Sequence, residues 1–178
     1  VGLRQEEMSA AVPTLETARL RLRPPRAADF DAVAAFLASE RAKYMGGPYG
    51  ARQAWRNFAE TCGSRMLRGY GYWAVETREG ALAGAVGVIG PPAMPEPELG
   101  WELHGGYEGS GYATEAARAA RDWWFGPFGG ATLVSYIGPL NTRSIRVAER
   151  LGAVRDPWAF RDDPEDIVFR HPRPERAA

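Results

Sequence analysis

Residues Glu98 to Arg118 read ELGWELHGGYEGSGYATEAAR and contain three consecutive segments. In the first, apolar Leu99, Trp101 and Leu103 alternate with other residues, a pattern typical of a β-strand. The second holds four glycines and predicts a loop, and the third is rich in alanine and predicts a helix. The chain therefore passes from a strand through a glycine loop directly into a helix.

This order favours the binding of an anion, most naturally a phosphate, at the start of the helix. The first turn of a helix has unpaired backbone N–H groups and a partial positive charge, and glycines let the backbone approach a ligand closely. One helix face carries small side chains that let it lie against a sheet: Ala113, Ala116, Ala117, Ala120 and Trp124. The other faces, expected to be solvated, carry Thr114, Glu115, Arg118, Arg121 and Asp122.

Two common phosphate motifs do not fit this stretch. A P-loop needs Gly-Lys-Ser/Thr, and the stretch contains no lysine. A dinucleotide fingerprint needs a third Gly or Ala where Thr114 stands, and an acidic residue where Ile137-Gly138-Pro139 follows the next strand. From spacing alone, a tight turn without a ligand remains an open alternative.

Three blocks of the sequence resemble a known family. Residues 108–113, Glu-Gly-Ser-Gly-Tyr-Ala, are similar to the Arg/Gln-x-x-Gly-x-Gly/Ala signature of the GNAT superfamily of N-acetyltransferases, with Gly111 and Ala113 at the fixed positions. Residues 17–24 resemble the first strand of its ribosomal-protein N-acetyltransferase (RimJ/RimL-like) branch, and residues 141–152 resemble that branch's Asn-x-x-Ser helix. The blocks occur in the family's order and span most of the chain.

The chain departs from the family pattern at two positions. Glu108 occupies the Arg/Gln position, where its charge opposes a nearby phosphate unless the carboxylate points to water. Ala148 stands where many members carry a tyrosine thought to protonate the leaving thiolate, so that role must pass to another residue or to water.

Composition indicates a single globular domain. The chain has 178 residues, 45% of them hydrophobic, and no formal net charge, so we expect no nucleic-acid or membrane partner. The single cysteine, Cys62, excludes an internal disulfide, and with only His104 and His171 a metal site is not expected. There is neither a membrane-length apolar run nor a leader, which predicts a cytoplasmic protein.

The patterns predict an α/β fold (α+β in some schemes). The resemblance implies a GNAT fold with a mixed sheet of six to seven strands, splayed in the middle, and about four helices. We expect flexible tails at 1–12 and 173–178 around one domain at 13–172. The predicted strands are 19–23, 72–77, 82–89, 98–103, 131–137 and a closing pair, from Phe160 and 167–169, around residues 162–166.

Helices are predicted from Asp29, at 51–67, after Gly111 and from Asn141, which caps the last one. In the second helix Trp55, Phe58, Ala59 and Cys62 are expected to face inward. The segment 41–50 is expected to be a loop that either lines a substrate mouth or simply packs on itself.

The resemblance implies acetyl-CoA as cosubstrate, without a metal. Its pantetheine is expected along Trp101 to Leu103, where a free backbone N–H would hold the thioester carbonyl, and its pyrophosphate over the N–H groups of residues 108–113. The cofactor-binding residues implied are Trp101, Leu103, Glu108, Gly109, Ser110, Gly111, Tyr112, Ala113, Thr114, Asn141 and Ser144.

The acceptor implied is an amine, which attacks only when neutral and therefore needs a base. Glu98 is the first candidate and Glu102, on the same strand face, the second; His104 or a water are alternatives. Ser144 is expected to hydrogen-bond or protonate the departing sulfur, although a first-turn serine is often only a capping partner.

The identity of the amine stays open between a protein N-terminus and a small molecule, and the protein between a monomer and a homodimer. The acidic run Asp162 to Asp166 either attracts a cationic acceptor or is a solubilising turn. Two other hypotheses are a non-catalytic acyl-CoA sensor, which Glu108 and Ala148 favour, and a nucleotide-binding module.

Overall fold

Four α-helices lie in residues 12–90 and 94–174, the ranges that the computed structural model describes. They are α1 (Phe30–Leu37), α2 (Ala51–Arg68), α3 (Tyr112–Phe125) and α4 (Thr142–Arg150). Short 3₁₀ helices, Ala27–Asp29 and Glu40–Met45, flank α1. The second one replaces part of the loop predicted at 41–50, because the Ser39 side chain caps it and Gly46 ends it.

The strands of the described chain form one eight-stranded sheet in the order β1-β2-β3-β4-β5-β6-β8-β7. All neighbours are antiparallel except β5 and β6, so the predicted mixed sheet with four flanking helices is confirmed. The count exceeds the predicted six to seven, because β1 and β7 have two residues each and are too short to show an alternating pattern. The strands are β1 (Leu15–Glu16), β2 (Leu20–Arg23), β3 (Tyr72–Thr77), β4 (Leu82–Ile89), β5 (Glu98–Leu103), β6 (Val134–Ile137), β7 (Val154–Arg155) and β8 (Ile167–Arg170).

The sheet opens between its two parallel strands. In the described chain, β5 and β6 pair only at Glu98 and Val134. The Ser135 hydroxyl adds one bridge, donating to the Leu99 carbonyl at 2.6 Å while its oxygen lies 2.9 Å from His171 Nε2. Beyond Leu99 the strands diverge, which is the splay that the family resemblance implies.

The main core lies between α3 and one face of the sheet. Ala116, Ala117 and Ala120 are fully buried there, which confirms the predicted alanine face of α3. Their small size brings the helix close to the sheet, and Trp73 of β3 meets Trp123 edge-on at 5.1 Å. Helices α1 and α2 lie over the opposite face, toward which Ala74 and Ala85 point.

The predicted inward face of α2 is wrong in part. Of the predicted residues only Phe58 is buried: Trp55 is 53% exposed, Ala59 is exposed and Cys62 is half-buried. Ala54 and Arg65 are buried instead. Arg65 turns inward because its guanidinium donates to the carbonyls of Tyr72 and Val12 at 2.8 and 3.0 Å. Trp55 instead packs edge-on against Phe30 of α1.

Two strand predictions also need correction. The strand predicted from residue 131 begins at Val134, after the buried Leu133. The closing pair does not involve Phe160, which is 57% exposed; β8 pairs with β6 and with Val154–Arg155. The acidic run 162–166 therefore lies in the connection between β7 and β8 rather than in a hairpin of the predicted strands.

The ends of the predicted domain are partly within the described chain. Residues 1–11 and 175–178 of the predicted tails lie outside the described residues. Val12 is buried in the main core, and the Arg173 guanidinium donates to the carbonyls of Phe125 and Gly130. No helix in the described ranges is long and apolar enough to cross a bilayer.

Candidate active site

The glycine loop delivers the backbone into α3 without a capping side chain. Gly111, the residue before the helix, has φ of 82°, a conformation that residues with a Cβ rarely adopt. The first helical bond in the turn runs from the Glu115 N–H to the Gly111 carbonyl, and no side chain bonds at the cap. The N–H groups of the first turn therefore have no capping side chain, which is the arrangement that an anion site requires.

A cleft of about 850 Å³ lies over this turn, between the end of β5 and the start of α4. All of the cofactor-binding residues predicted from the sequence line it except Ser110, whose carbonyl accepts a hydrogen bond from Arg19 at 2.8 Å. The cleft lining thus brings together Trp101, Leu103, Glu108, Gly109, Gly111, Tyr112, Ala113, Thr114, Asn141 and Ser144. Their roles in binding stay predictions.

The carboxylate of Glu108 is paired with basic side chains. Arg41, from the second 3₁₀ helix, pairs with it, Arg143 lies 3.7 Å away, and the Gly106 N–H donates to it at 2.9 Å. The hydrogen bond from Arg41 is the main cause that lowers the pKa of Glu108. Arg41 also donates to the Leu103 carbonyl at 2.9 Å, so it ties its segment to both β5 and the glycine loop.

Sequence reasoning did not identify Arg41, because 67 residues separate it from Glu108. Three further basic side chains line the cleft from α4, spaced three and four residues apart on one helix side: Arg143, Arg146 and Arg150. Two of the side chains expected on wet faces of α3 are engaged with protein. Glu115 binds Thr17 and Arg19, and Arg121 donates to the Leu151 carbonyl at 2.6 Å.

These features fit coenzyme A, a long thioester carrier with a diphosphate and a further phosphate. The open helix turn and its glycines suit the diphosphate, and the arginines of α4 suit additional phosphate charge. Backbone N–H groups along β5 point alternately toward β4 and away from it. The His104 N–H points toward β4, where it donates to the Ala83 carbonyl, so the N–H groups of Trp101 and Leu103 point the other way, into the opening between β5 and β6. The described chain holds no group of three side chains arranged to bind a metal ion.

The opposite face of β5 carries the two candidate bases. Glu98, Gly100 and Glu102 share this face, and the ring of Tyr72 reaches across from β3. A Cβ on Gly100 would lie 1.9 Å from the Tyr72 hydroxyl oxygen, so glycine is required at this position. The hydroxyl of Tyr72 consequently lies above Gly100, between the two glutamates.

A second cavity, of about 240 Å³, opens on this face beneath α1 and α2. Glu102 and Met45 line both this cavity and the cofactor cleft, whereas Glu98 and His104 line neither. The structure therefore separates the two glutamates that the sequence left as alternatives. Glu102 stands where the two spaces meet.

Both glutamates have perturbed acidities. Burial raises the pKa of Glu102 and that of Glu98 to about 7, with the Tyr136 backbone opposing the change at Glu98. Burial, together with these two carboxylates, raises the pKa of Tyr72 well above its ordinary value. A carboxyl group that titrates near neutral pH is suited to exchange a proton with an amine.

The start of α4 places two predicted residues at the cleft. Asn141 caps the helix as predicted, its side-chain oxygen accepting from the Ser144 N–H at 3.2 Å. Ser144 is half-buried and lines the cleft, while Ala148, one turn further on, is fully buried. Tyr44 also lines the cleft, its hydroxyl donating to the Leu140 carbonyl at 3.1 Å.

His104 is buried and packs against Phe36. It is 9% exposed, its ring lies 5.6 Å from that of Phe36, and burial lowers its pKa. Its Nε2 atom has no hydrogen-bond partner within the described chain. These surroundings favour a neutral core side chain over a base.

Residues 19–154 match the family model of the GNAT acetyltransferase domain. The match covers most of the chain and includes the glycine loop, β5 and α4. The chain therefore belongs to the GNAT acetyltransferase family.

The chain is similar to an acetyltransferase from Agrobacterium tumefaciens, with 45% identity, a TM-score of 0.87 and coverage of 90% of this chain and 95% of that one. It is also 36% identical to the uncharacterized protein YkkB of Bacillus subtilis over 93 residues. That match covers 49% of this chain and 54% of YkkB, so the chain spans about half the length of this curated relative.

More distant structures share the fold alone. Spermidine N-acetyltransferase from Vibrio cholerae, in complex with CoA and spermine, is 18% identical with a TM-score of 0.67, covering 86% of this chain and 94% of that one. RimL, a ribosomal alpha-N-protein acetyltransferase in complex with CoA, is 14% identical with a TM-score of 0.71, covering 89% and 96%.

Proposed function

We propose that this protein is an acetyl-CoA-dependent N-acetyltransferase that acetylates a primary amine by direct attack. The observation that carries the proposal is the position of Glu102, which lines both the cofactor cleft and the second cavity. A carboxylate at this junction reaches an amine held in one space and an acyl donor held in the other.

The cofactor is assigned to the cleft over the start of α3. The first-turn N–H groups and the arginines of α4 hold its phosphates, with Asn141 contacting the pantetheine amide. The N–H groups of Trp101 and Leu103 face the splay and stabilise the carbonyl oxygen as it gains negative charge, an effect worth about 2–4 kcal/mol in well-aligned sites. Bound acetyl-CoA supplies the acetyl group as a thioester.

Glu102 accepts one proton from the ammonium form of the amine, which frees the nitrogen lone pair to bond the acetyl carbon. As the carbon–sulfur bond breaks, the nitrogen loses its second proton and the leaving sulfur gains one. Burial raises the pKa of Glu102 to about 7, which suits proton exchange at neutral pH. Ser144 donates a hydrogen bond to the departing sulfur, or passes it a proton that the serine regains from the amine nitrogen. The products are the amide and free CoA thiol.

Direct attack is supported by the placement of Cys62. The thiol is half-buried on α2, lines neither cavity, and has its pKa raised by burial. We expect Cys62→Ala to retain turnover. Loss of turnover in a folded variant that still binds acetyl-CoA would point to an acyl-enzyme instead.

The three sequence blocks and the fold shared with RimL support the RimJ/RimL-like branch, whose acceptors in this proposal are primary amines on a protein N-terminus or a small molecule. The experiment is a thiol-release assay with acetyl-CoA and a panel of primary amines. Glu102→Gln is expected to lower kcat by about a hundredfold or more without changing acetyl-CoA affinity.

Glu98→Gln is the matched control, because Glu98 shares the strand face and the raised pKa but lines neither cavity. We expect it to change kcat by less than about threefold. The reverse ranking would make Glu98 the base.

A second candidate function is a non-catalytic acyl-CoA sensor of the same fold. Glu108 in place of a basic residue and Ala148 in place of tyrosine favour it. Acetyl-CoA binding in calorimetry, without thiol release by any amine of the panel, would select the sensor.

A further inference from the structure

The floor of the second cavity is made of small residues. Ala74 of β3 and Ala85 of β4 pair side by side and lie in one row across the sheet between Arg23 and Glu102. Because neither alanine extends beyond its Cβ, the sheet leaves room beneath α1 and α2. The register therefore places Glu102 at one end of a trough.

The walls of the trough are mostly apolar, with the polar side chains of Asn57, Thr61 and Ser64 contributed by α2. Side chains from both helices, from β4 and from the segment before β5 enclose it, among them Val33, Leu37, Phe58, Leu82, Ile89 and Met94. A ligand body in contact with these groups is stabilised by burial of its own apolar surface.

The charge of the trough is negative and lies mainly at Glu102. The described lining contains no Arg, Lys or His, and three acidic residues. The Asp29 carboxylate is bound by Arg23 through two 2.8 Å hydrogen bonds, and Glu60 is exposed on α2. Glu102 has no ion-pair partner within the described chain, so it is the carboxylate that attracts a cation into the trough.

The volume limits the size of the ligand. A cavity of about 150 Å³ holds one benzene. The 240 Å³ of this cavity therefore admits a ring with a short amine-bearing chain, or an alkyl chain of similar bulk.

Resting on the proposed function, we propose that the acceptor is a primary monoamine with an apolar body, an arylalkylamine or a medium-length alkylamine, seated in this trough with its nitrogen at Glu102. A second ammonium would be buried among mostly apolar side chains, because Asp29 is already paired with Arg23 and Glu60 lies exposed on α2. A peptide N-terminus would bring several backbone N–H and carbonyl groups into a cavity of about 240 Å³ whose mostly apolar walls offer few hydrogen-bond partners. The trough therefore discriminates against polyamines and peptides.

The wild-type protein tests this with two amines of equal heavy-atom number. Hexylamine and 1,5-diaminopentane differ only by a terminal methyl against a terminal ammonium. We expect kcat/KM for hexylamine to exceed that for the diamine by about tenfold or more, with 2-phenylethylamine at least as good as hexylamine. Preference for the diamine, spermidine or an alanyl peptide amide would overturn the substrate class while leaving the proposed function intact. If no amine caused thiol release, the proposed function itself would be wrong.

A trough-filling variant tests the location. Ala85→Leu is expected to raise KM for 2-phenylethylamine by about tenfold or more while KM for ethylamine stays within about threefold, because only the larger body needs the floor. Ala59→Leu, on the exposed face of α2, is the control for the same change in size. Val33→Phe repeats the test from the opposite wall if the strand variant does not fold. Equal effects on both amines, or none, would place the acceptor elsewhere.

Discussion

Arg41 and Glu108 form the least expected contact at the site. The family pattern has a basic or amide side chain where Glu108 stands, and the structure supplies a guanidinium from a distant segment instead. The pair leaves this corner of the cleft close to neutral. The arginine therefore compensates for the exchanged residue.

We predict that substitutions of Arg41 and Glu108 have non-additive effects on acetyl-CoA affinity. Arg41→Met leaves the Glu108 carboxylate beside the phosphate site, so we expect acetyl-CoA affinity to fall by about tenfold, or about 1.4 kcal/mol. Glu108→Gln should not weaken binding, and the double variant should recover most of the loss. Calorimetric Kd values for the wild type, the two single variants and the double variant complete this double-mutant cycle. An equal loss in the single and double variants would assign Arg41 a role independent of Glu108.

Glu102 should also control the pH dependence of the reaction. A base acts in its deprotonated form, and burial raises the pKa of Glu102 to about 7. We therefore expect kcat/KM to fall below about pH 7, a limb that persists in Glu98→Gln and is absent from the residual activity of Glu102→Gln. A limb unchanged in Glu102→Gln would assign the titration to another group.

At the scale of elements, the anion site depends on how the loop enters α3. Gly111 has φ of 82°, and Gly80, in the hairpin between β3 and β4, has φ of 88°. An added Cβ meets nothing closer than 3.5 Å at Gly111 and nothing within 4 Å at Gly80, so alanine strains the backbone similarly at both.

We expect Gly111→Ala and Gly80→Ala to lose similar stability, about 1–2 kcal/mol each, by thermal unfolding. Only Gly111→Ala should weaken acetyl-CoA binding, by about tenfold, because its backbone lines the cleft. Equal acetyl-CoA affinity in the two folded variants would contradict the assignment of the loop.

For the whole molecule, the raised pKa values of Glu98 and Glu102 make the free energy of unfolding depend on pH. Glu98 and Glu102 have a pKa of about 7 in the folded chain against an ordinary 4.5, so folding favours their protonated forms. Their contribution is fully present below pH 4.5 and is lost as pH rises through 7. Buried His171, with its pKa lowered to about 4, acts in the opposite direction, losing its contribution as pH falls from 6.5.

Glu98→Gln and Glu102→Gln should accordingly match the wild type in Tm near pH 4 and exceed it near pH 8, by about 2–4 °C for each kcal/mol relieved. Taking differences between variant and wild type cancels the His171 effect. Differential scanning calorimetry from pH 4 to pH 8 measures these Tm differences. A constant Tm difference from pH 4 to pH 8 would mean that these carboxyl groups titrate normally in the folded chain.

Local features of this fold could be predicted from the sequence, and long-range ones could not. The strand, loop and helix at 98–118 are contiguous, and the cap at Asn141 acts over three residues, so short-range rules suffice. The row from Arg23 to Glu102 depends on the register of four strands, and the Arg41 contact joins distant segments. The sequence does contain one long-range signal. Glycines within strands, here Gly87 and Gly100, indicate that another group lies close to the backbone, and in this structure that group is Tyr72.

The distribution of tryptophans gives the protein an optical reporter. Trp73, Trp123 and Trp124 are enclosed in the core, and Trp55 and Trp158 are largely in solvent. Trp101 is the one of the six that lines the cofactor cleft. We therefore expect the emission of Trp101 to change when acetyl-CoA occupies the cleft, and the Trp101→Phe variant provides the control for that titration.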